Sequence, residues 1–404
     1  MHAVRDFFKK DGKRYLKNAF LRLWRLQDPT RCFSVAVLLG ALLFLGSCLV
    51  FGHRAFVGIF HLGATDLFSD FFAAISDAAR GAAAYGERGV IYPPLANLVL
   101  LLLARLLPPP LLTGDHATLW RQYNGAVLCY VLFAAVTVAL LFLFARRLTG
   151  SGVAALALCV CFPTCFLLER GNMLLLALLP LLLFCRGFDS ACSARREAAL
   201  VALAVAAALK VYPLLFALVL VSERRWCALG RLLGYTAVLT LLPSFCFGGP
   251  LALWLTVKNA LSFTANGQNA AHFMQLLGLD AERGALVLAL LYALALAVAL
   301  IAALLRLPPW QLFALAATVL LCFSSIFSAY NWLLFLPALL ALFENKCQHG
   351  LEKLYFWAIS LPFFVYLPKP RQDNLLILLL SLLWGLLLFS CLRAAARSRR
   401  RAGR

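Results

Sequence analysis

Residues 32–51 read CFSVAVLLGALLFLGSCLVF, twenty positions without a single charge. At 1.5 Å per residue a helix of that length reaches about 30 Å, the thickness of a bilayer's hydrocarbon core. Nine basic residues precede the run, from Arg5 to Arg31. No small-residue cleavage site follows it, so it is expected to be a retained first span rather than a signal peptide. The same texture continues along the chain. Of its 404 residues, 63% are hydrophobic and 13% charged, against an apolar share near ~50% in soluble domains. Those figures exclude a DNA-binding domain, a disulfide scaffold and a water-soluble enzyme. The chain reads as an all-α polytopic membrane protein.

The net charge of +20 is no nucleic-acid signal, because the bases gather at the two ends. Beyond the last apolar run stand Arg393, Arg397, Arg399, Arg400, Arg401 and Arg404. Basic segments flanking spans mark the cytoplasmic face. Residues 1–32 are therefore expected to be a cytoplasmic segment, 33–392 the transmembrane domain and 393–404 a cytoplasmic tail. Thirteen cysteines, mostly inside apolar runs, behave as small hydrophobes. Cys159, Cys161 and Cys165 have no histidine nearby and do not share one helical face, so no metal site is expected.

Hydropathy with the positive-inside rule gives about twelve spans: 33–51, 121–145, 152–168, 172–187, 197–209, 211–222, 228–247, 284–305, 310–327, 332–343, 354–367 and 374–392. The apolar run 93–107 is not counted. A crossing there would carry Arg146 and Arg147 to the outside, against the rule. It is expected to be a helix on the outer interface, within a large first outer loop, 52–120. On this map 26 of the 37 Lys and Arg lie inside.

Chemistry is expected in the outer loops, since stray charge within lipid costs several kcal/mol. If 65–77 is helical, Asp66, Asp70 and Asp77 share a polar face with Arg80 beside them, while Phe68, Phe71, Phe72 and Ile75 face away. Taken alone, this is equally an amphipathic interfacial helix with solvated acids and Asp66 or Asp70 as its N-cap. Ser69, beside Asp70, is also able to cap it and leave that carboxylate free. Other polar groups recur at outer helix ends: Glu169-Arg170-Gly171-Asn172, Lys210-Val211-Tyr212-Pro213, Asn266 to His272 including Asn269, and Ser328 to Trp332. Tyr330 and Trp332 suit an aromatic belt. Lys210 sits inside a continuous apolar stretch and needs an anionic partner. Arg170 on the same side makes a phosphate suitable, as neither cation has an obvious acidic neighbour except Glu169. No Walker loop, HExxH or Asp-x-Asp is present, and no cofactor is expected.

Asp70-Phe71-Phe72, Gly81, Tyr85 and Tyr92-Pro93-Pro94-Leu95, followed by Gly171-Asn172, Lys210-Val211-Tyr212-Pro213 and Arg224-Arg225-Trp226, resemble in order and spacing glycosyltransferase family 87. Its members are of the polyprenyl-phosphate-mannose-dependent α-mannosyltransferase type. The resemblance covers roughly residues 60–345. It implies a GT-C bundle with its active site at the outer leaflet, and an acidic general base in the first outer loop, where Asp70 stands. It further implies inverting transfer of a hexose such as mannose from a polyprenyl-phosphate donor to a lipid or glycan acceptor. Lys210, Arg170 and Arg80 would hold the donor phosphate, with Tyr92 beside the lipid tail. Asp66, Asp77, Asn172, Tyr212, Asn269, His272 and Tyr330 would line the pocket. The expected setting is a bacterial plasma membrane, with both termini cytoplasmic and the protein a monomer among membrane lipids, binding no nucleic acid. The alternatives are a lipid or sugar transporter, and an envelope polysaccharide polymerase or ligase.

Overall fold

The computed structural model describes residues 28–60, 67–107, 123–265, 278, 280–322, 328–347 and 349–402. Among them every regular element is helical. The chain runs α1 (Pro29–Phe51), α2 (His53–Phe60), α3 (Ser69–Ala78), α4 (Ala83–Gly86), α5 (Pro94–Ala104), α6 (Asn124–Thr149), α7 (Gly152–Val160), α8 (Phe162–Arg170), α9 (Leu174–Gly187) and α10 (Ser193–Leu209). A 3-10 segment, Tyr212–Ala217, leads into α11 (Leu218–Ser222), α12 (Trp226–Ser244), α13 (Pro250–Ala265), α14 (Ala281–Leu304) and α15 (Pro309–Cys322). A short 3-10 turn, Phe245–Phe247, lies between α12 and α13, and a further 3-10 segment, Ala329–Phe335, precedes α16 (Leu336–Glu344), α17 (Gly350–Phe364) and α18 (Lys369–Ala402).

Four helices in the described residues are long and apolar enough to cross a membrane: Pro29–Phe51, Asn124–Thr149, Trp226–Phe247 and Arg371–Ser398. A fifth span arises if α7 and α8, bent by 49° at their junction, are taken as one. That is fewer than the twelve expected from hydropathy. The reason is local. Several apolar runs are broken before they reach bilayer length: α9 has 14 residues and extends only about 21 Å. Between α7 and α8, Cys161 adopts an extended backbone and Pro163 supplies no amide for the helical ladder. The Tyr366 hydroxyl donates to the Val160 carbonyl at this break (2.7 Å). α18 runs without a break through the basic residues from Arg393 to Arg401.

The main core joins α1, α2, α6 to α12 and α14 to α18. Helices approach closely where side chains vanish: a Cβ at Gly40 of α1 would overlap the Phe364 carbonyl at the end of α17. A second, smaller core lies against the starts of α6 and α9. It consists of Phe71, Phe72, Ala74, Ile75 and Ala78 from α3, Leu100 and Ala104 from α5, then Ala126, Tyr130 and Met173. This corrects the interfacial reading of α3. Its apolar face is covered by protein rather than lipid, with Phe71 and Phe72 fully buried. α5, at about 16 Å, is too short to cross a bilayer. It packs against α3, α10 and α12 while leaving Leu102 and Leu106 exposed.

Candidate active site

Two helix ends meet at the second core. α8 stops at Gly171, whose left-handed backbone (φ 73°) lets its amide and that of Asn172 return to the Leu167 carbonyl. α3 starts at Phe68, a non-glycine residue also in the left-handed region (φ 58°). Such a residue costs about 1–2 kcal/mol. It is held there by its amide, which donates to the Glu169 carbonyl at 2.8 Å, and by its ring, 4.2 Å from Tyr130. Tyr130 in turn donates its hydroxyl to the Leu168 carbonyl. The fit is tight, since a Cβ on Gly171 would come within 2.7 Å of Phe71 Cβ.

This docking delivers Asp70, in the first turn of α3, to the end of α8. Arg170 Nη2 donates to Asp70 Oδ1 (2.8 Å), and Asn172 Nδ2 donates to Asp70 Oδ2 (2.8 Å). The same Asn172 amide donates to Tyr330 Oη (3.0 Å). Its oxygen accepts from Lys210 Nζ (2.8 Å) and from the Leu174 amide that opens α9 (3.0 Å). Asn172 is therefore the hub linking one carboxylate, one ammonium and one phenol. Lys210 lies in the break after α10, with its Nζ 5.8 Å from the Tyr92 ring centre and 5.4 Å from that of Tyr212. Burial pulls its pKa down to about 8, an effect that the Asp70 charge opposes. Burial also pushes the Tyr92 phenol up, with Asp70 adding to the shift. Tyr92 is thus a neutral group at neutral pH.

The structure brings Asp70, Arg170, Asn172, Lys210, Tyr92, Tyr212 and Tyr330 together. Others of the expected set stand apart. Asp77 pairs with Arg88 (3.0 Å). Arg80 is exposed beyond the far end of α3, roughly 15 Å along the axis from Asp70. Asp66, Asn269 and His272 lie outside the described residues. Three expectations are corrected. Arg170 does have a carboxylate partner, Asp70, a hundred positions away in sequence. Ser69 does not cap α3: it is the first helical residue, and its buried hydroxyl has no hydrogen-bond partner among the described residues. Trp332 belongs to no aromatic belt, for it is fully buried, its ring centre 4.6 Å from that of Phe335, and donates to the Ile359 carbonyl (2.8 Å).

Two residues hold the frame: Tyr85, quoted among the motifs above, and Asn259, which sequence reasoning passed over. The Tyr85 hydroxyl donates to the Tyr92 carbonyl (3.1 Å). Asn259 of α13 donates to the Tyr85 and Val90 carbonyls (2.9 and 3.1 Å), tying down the segment that presents Tyr92. A lone amide in the apolar stretch 250–257 and beyond was the available signal. No group of His, Cys, Asp and Glu able to hold a metal occurs among the described residues.

No curated protein and no solved structure matches the chain. The model of glycosyltransferase family 87 matches residues 90–328, more than half of the sequence. That segment contains Tyr92, Arg170, Asn172, Lys210 and Tyr212; Asp70 precedes it and Tyr330 follows it, both joined to it by hydrogen bonds. The chain, a helical membrane protein, belongs to glycosyltransferase family 87.

Proposed function

We propose that this protein transfers a hexose, mannose being the first candidate, from a polyprenyl-phosphate donor to a lipid or glycan acceptor, with inversion at the anomeric carbon. The observation that carries the reading is the placement of one carboxylate, Asp70, beside two cations, Arg170 and Lys210, around a single amide. Asp70 takes the proton of the acceptor hydroxyl as that oxygen bonds to the anomeric carbon. The bond from that carbon to the phosphate oxygen breaks at the same time. The leaving group, polyprenyl phosphate, departs as an anion and needs positive charge more than it needs an acid. Lys210 and Arg170 supply that charge, and Tyr92 and Tyr212 flank the ammonium. The polar face of the site opens to the outer leaflet, with both termini cytoplasmic, in the map that the positive-inside rule favours.

The test uses purified protein in detergent with radiolabelled polyprenyl-phosphate mannose and a lipid extract as acceptor. Label should move to a new lipid, free polyprenyl phosphate should accumulate in equal amount, and Asp70→Asn should stop both. Movement of intact donor across proteoliposomes without cleavage would make the protein a transporter instead. No reaction with that donor, but release of polyprenyl diphosphate when a polyprenyl-diphosphate-linked glycan is supplied instead, would point to a polysaccharide polymerase or ligase.

A further inference from the structure

We propose that Asn172 is a positioning residue that keeps Lys210 and Asp70 from closing into an ion pair. The ammonium then stays available to the donor's phosphate and the carboxylate to the acceptor's proton. The inference rests on the donor reading above and assigns this amide a role in it.

An ammonium and a carboxylate in a sheltered site are drawn into contact, because their attraction grows as water is excluded. Lys210 and Asp70 meet that condition: burial acts on the lysine, and the Asp70 charge reaches it. Yet no ion pair joins them among the described residues, and each bonds to Asn172 instead. A carboxamide suits that place, since it offers a donor to the carboxylate and an acceptor to the ammonium. A carboxylate there would bind Lys210 outright, and a cation would bind Asp70. The orientation of the amide is fixed by chemistry. The Leu174 N–H and the Lys210 ammonium can only donate, so the atom facing both is the oxygen. The nitrogen is thereby turned to Asp70 Oδ2 and Tyr330 Oη. Asn172 is buried, and its backbone amide is held by the Leu167 carbonyl across the Gly171 turn (3.2 Å).

The flexible four-carbon stem of a lysine is able to span the width of one amide. Without Asn172, Lys210 would reach Asp70, and one salt bridge would consume the donor's cation and the base together. The titratable groups around Lys210 are Asp70 from α3, Tyr92 ahead of α5, Tyr212 in its own segment and, through the amide, Tyr330; Arg170, at the end of α8, lies on Asp70. Burial raises all three phenols, which leaves Asp70 as the anion of the set. An anion in contact holds a lysine charged to higher pH. The pH at which phosphate binding is lost therefore reports whether Lys210 and Asp70 have closed on each other.

The experiment measures binding of farnesyl phosphate, a short polyprenyl phosphate, by calorimetry between pH 7 and 10. Four full-length purified proteins are compared: wild type, Asp70→Asn, Asn172→Ser and the double variant. The serine hydroxyl can still accept from the Leu174 amide but is too short to bridge. Wild-type affinity should fall as the pH climbs past about 8, where Lys210 loses its proton. In Asn172→Ser, affinity at pH 7 should be about 10-fold lower, the scale of one charge-assisted hydrogen bond, and the fall should move up by about one pH unit or more. Adding Asp70→Asn should cancel that upward move, and Asp70→Asn alone should cause none. Weaker binding at every pH with the fall left near 8, or an upward move that survives Asp70→Asn, would make Asn172 a structural residue only and leave the donor reading intact. A flat wild-type profile also overturns the spacer. Asn172→Ala is the second variant, with the same expected outcomes. Loss of fold in both would mark Asn172 as a structural keystone and overturn the proposal. Failure of the wild type to bind farnesyl phosphate at any pH would sink the donor reading and the spacer together.

Discussion

The two ends of α9 carry the same kinds of side chain in opposite circumstances. At its start, Asp70, Arg170, Asn172 and Lys210 form one connected network, the Arg170–Asp70 pair being about three-quarters buried. At its other end, some 20 Å along the helix, Arg186 pairs with Glu344 beside a cleft of about 330 Å³ that also includes Asp189 and Asn345. There both partners are more than half exposed. A solvated pair contributes about 0–1 kcal/mol, whereas hydrogen bonds to sheltered charges contribute ~1.5–3 kcal/mol each. Composition does not separate the two ends. Burial does.

The largest expected effect is at the carboxylate. Asp70→Asn keeps the contact with Asn172 but not the basicity, and turnover should fall by ~10²-fold or more. Asp77→Asn, on the same helix but paired with Arg88, should cost only a few-fold. Near-normal turnover of purified Asp70→Asn would make Asp70 an ordinary structural partner of Arg170 and erase the contrast between the two ends.

Next comes the ammonium. Lys210→Ala should raise the KM for donor by about 10- to 100-fold, the equivalent of one lost charge-assisted hydrogen bond, with less effect on the KM for acceptor. A lysine is charged below its pKa, so kcat/KM for donor should fall as pH climbs past about 8. Lys210→Arg should move that fall to higher pH. A flat profile between pH 7 and 10 would show that the Lys210 charge is not used.

Smaller in turnover but visible in stability is Gly171→Ala. Its φ of 73° and the missing space against Phe71 predict a loss of about 1–3 kcal/mol. The loss would be read as a lower midpoint of thermal unfolding in detergent. Unchanged stability would mean that α3 and α8 are less tightly docked than their hydrogen bond suggests. The smallest effect belongs to the far end: Arg186→Ala should shift stability by less than about 1 kcal/mol and leave turnover unchanged. A large loss there would remove the distinction drawn between the two ends.

Much of this protein is legible in its residues alone. An uncharged run such as 32–51 has one stable solution in lipid, a helix, because each backbone amide and carbonyl must find its partner within the segment. That determined the fold class. Lys210 and Arg170 stood out as cations in or beside apolar stretches, and Asp70 through its place before Phe71-Phe72 in a family-like order of motifs. The family match over residues 90–328 agrees with that order. The tertiary structure alone decided which of these residues meet. Hydropathy registers how apolar a run is and not where its ladder breaks, so the turn at Cys161 and the short α9 reduced the number of helices able to span. Nor does amphipathicity say what an apolar face will meet: Phe71 suits lipid as well as it suits Tyr130 and Phe133, and close packing with rings chose the latter. The pairing of Arg170 with Asp70 spans a hundred residues, and the bridging role of Asn172 depends on ångström-scale distances from three separate elements. Sequence periodicity is local, while hydrogen-bond partnership is set by how helices dock.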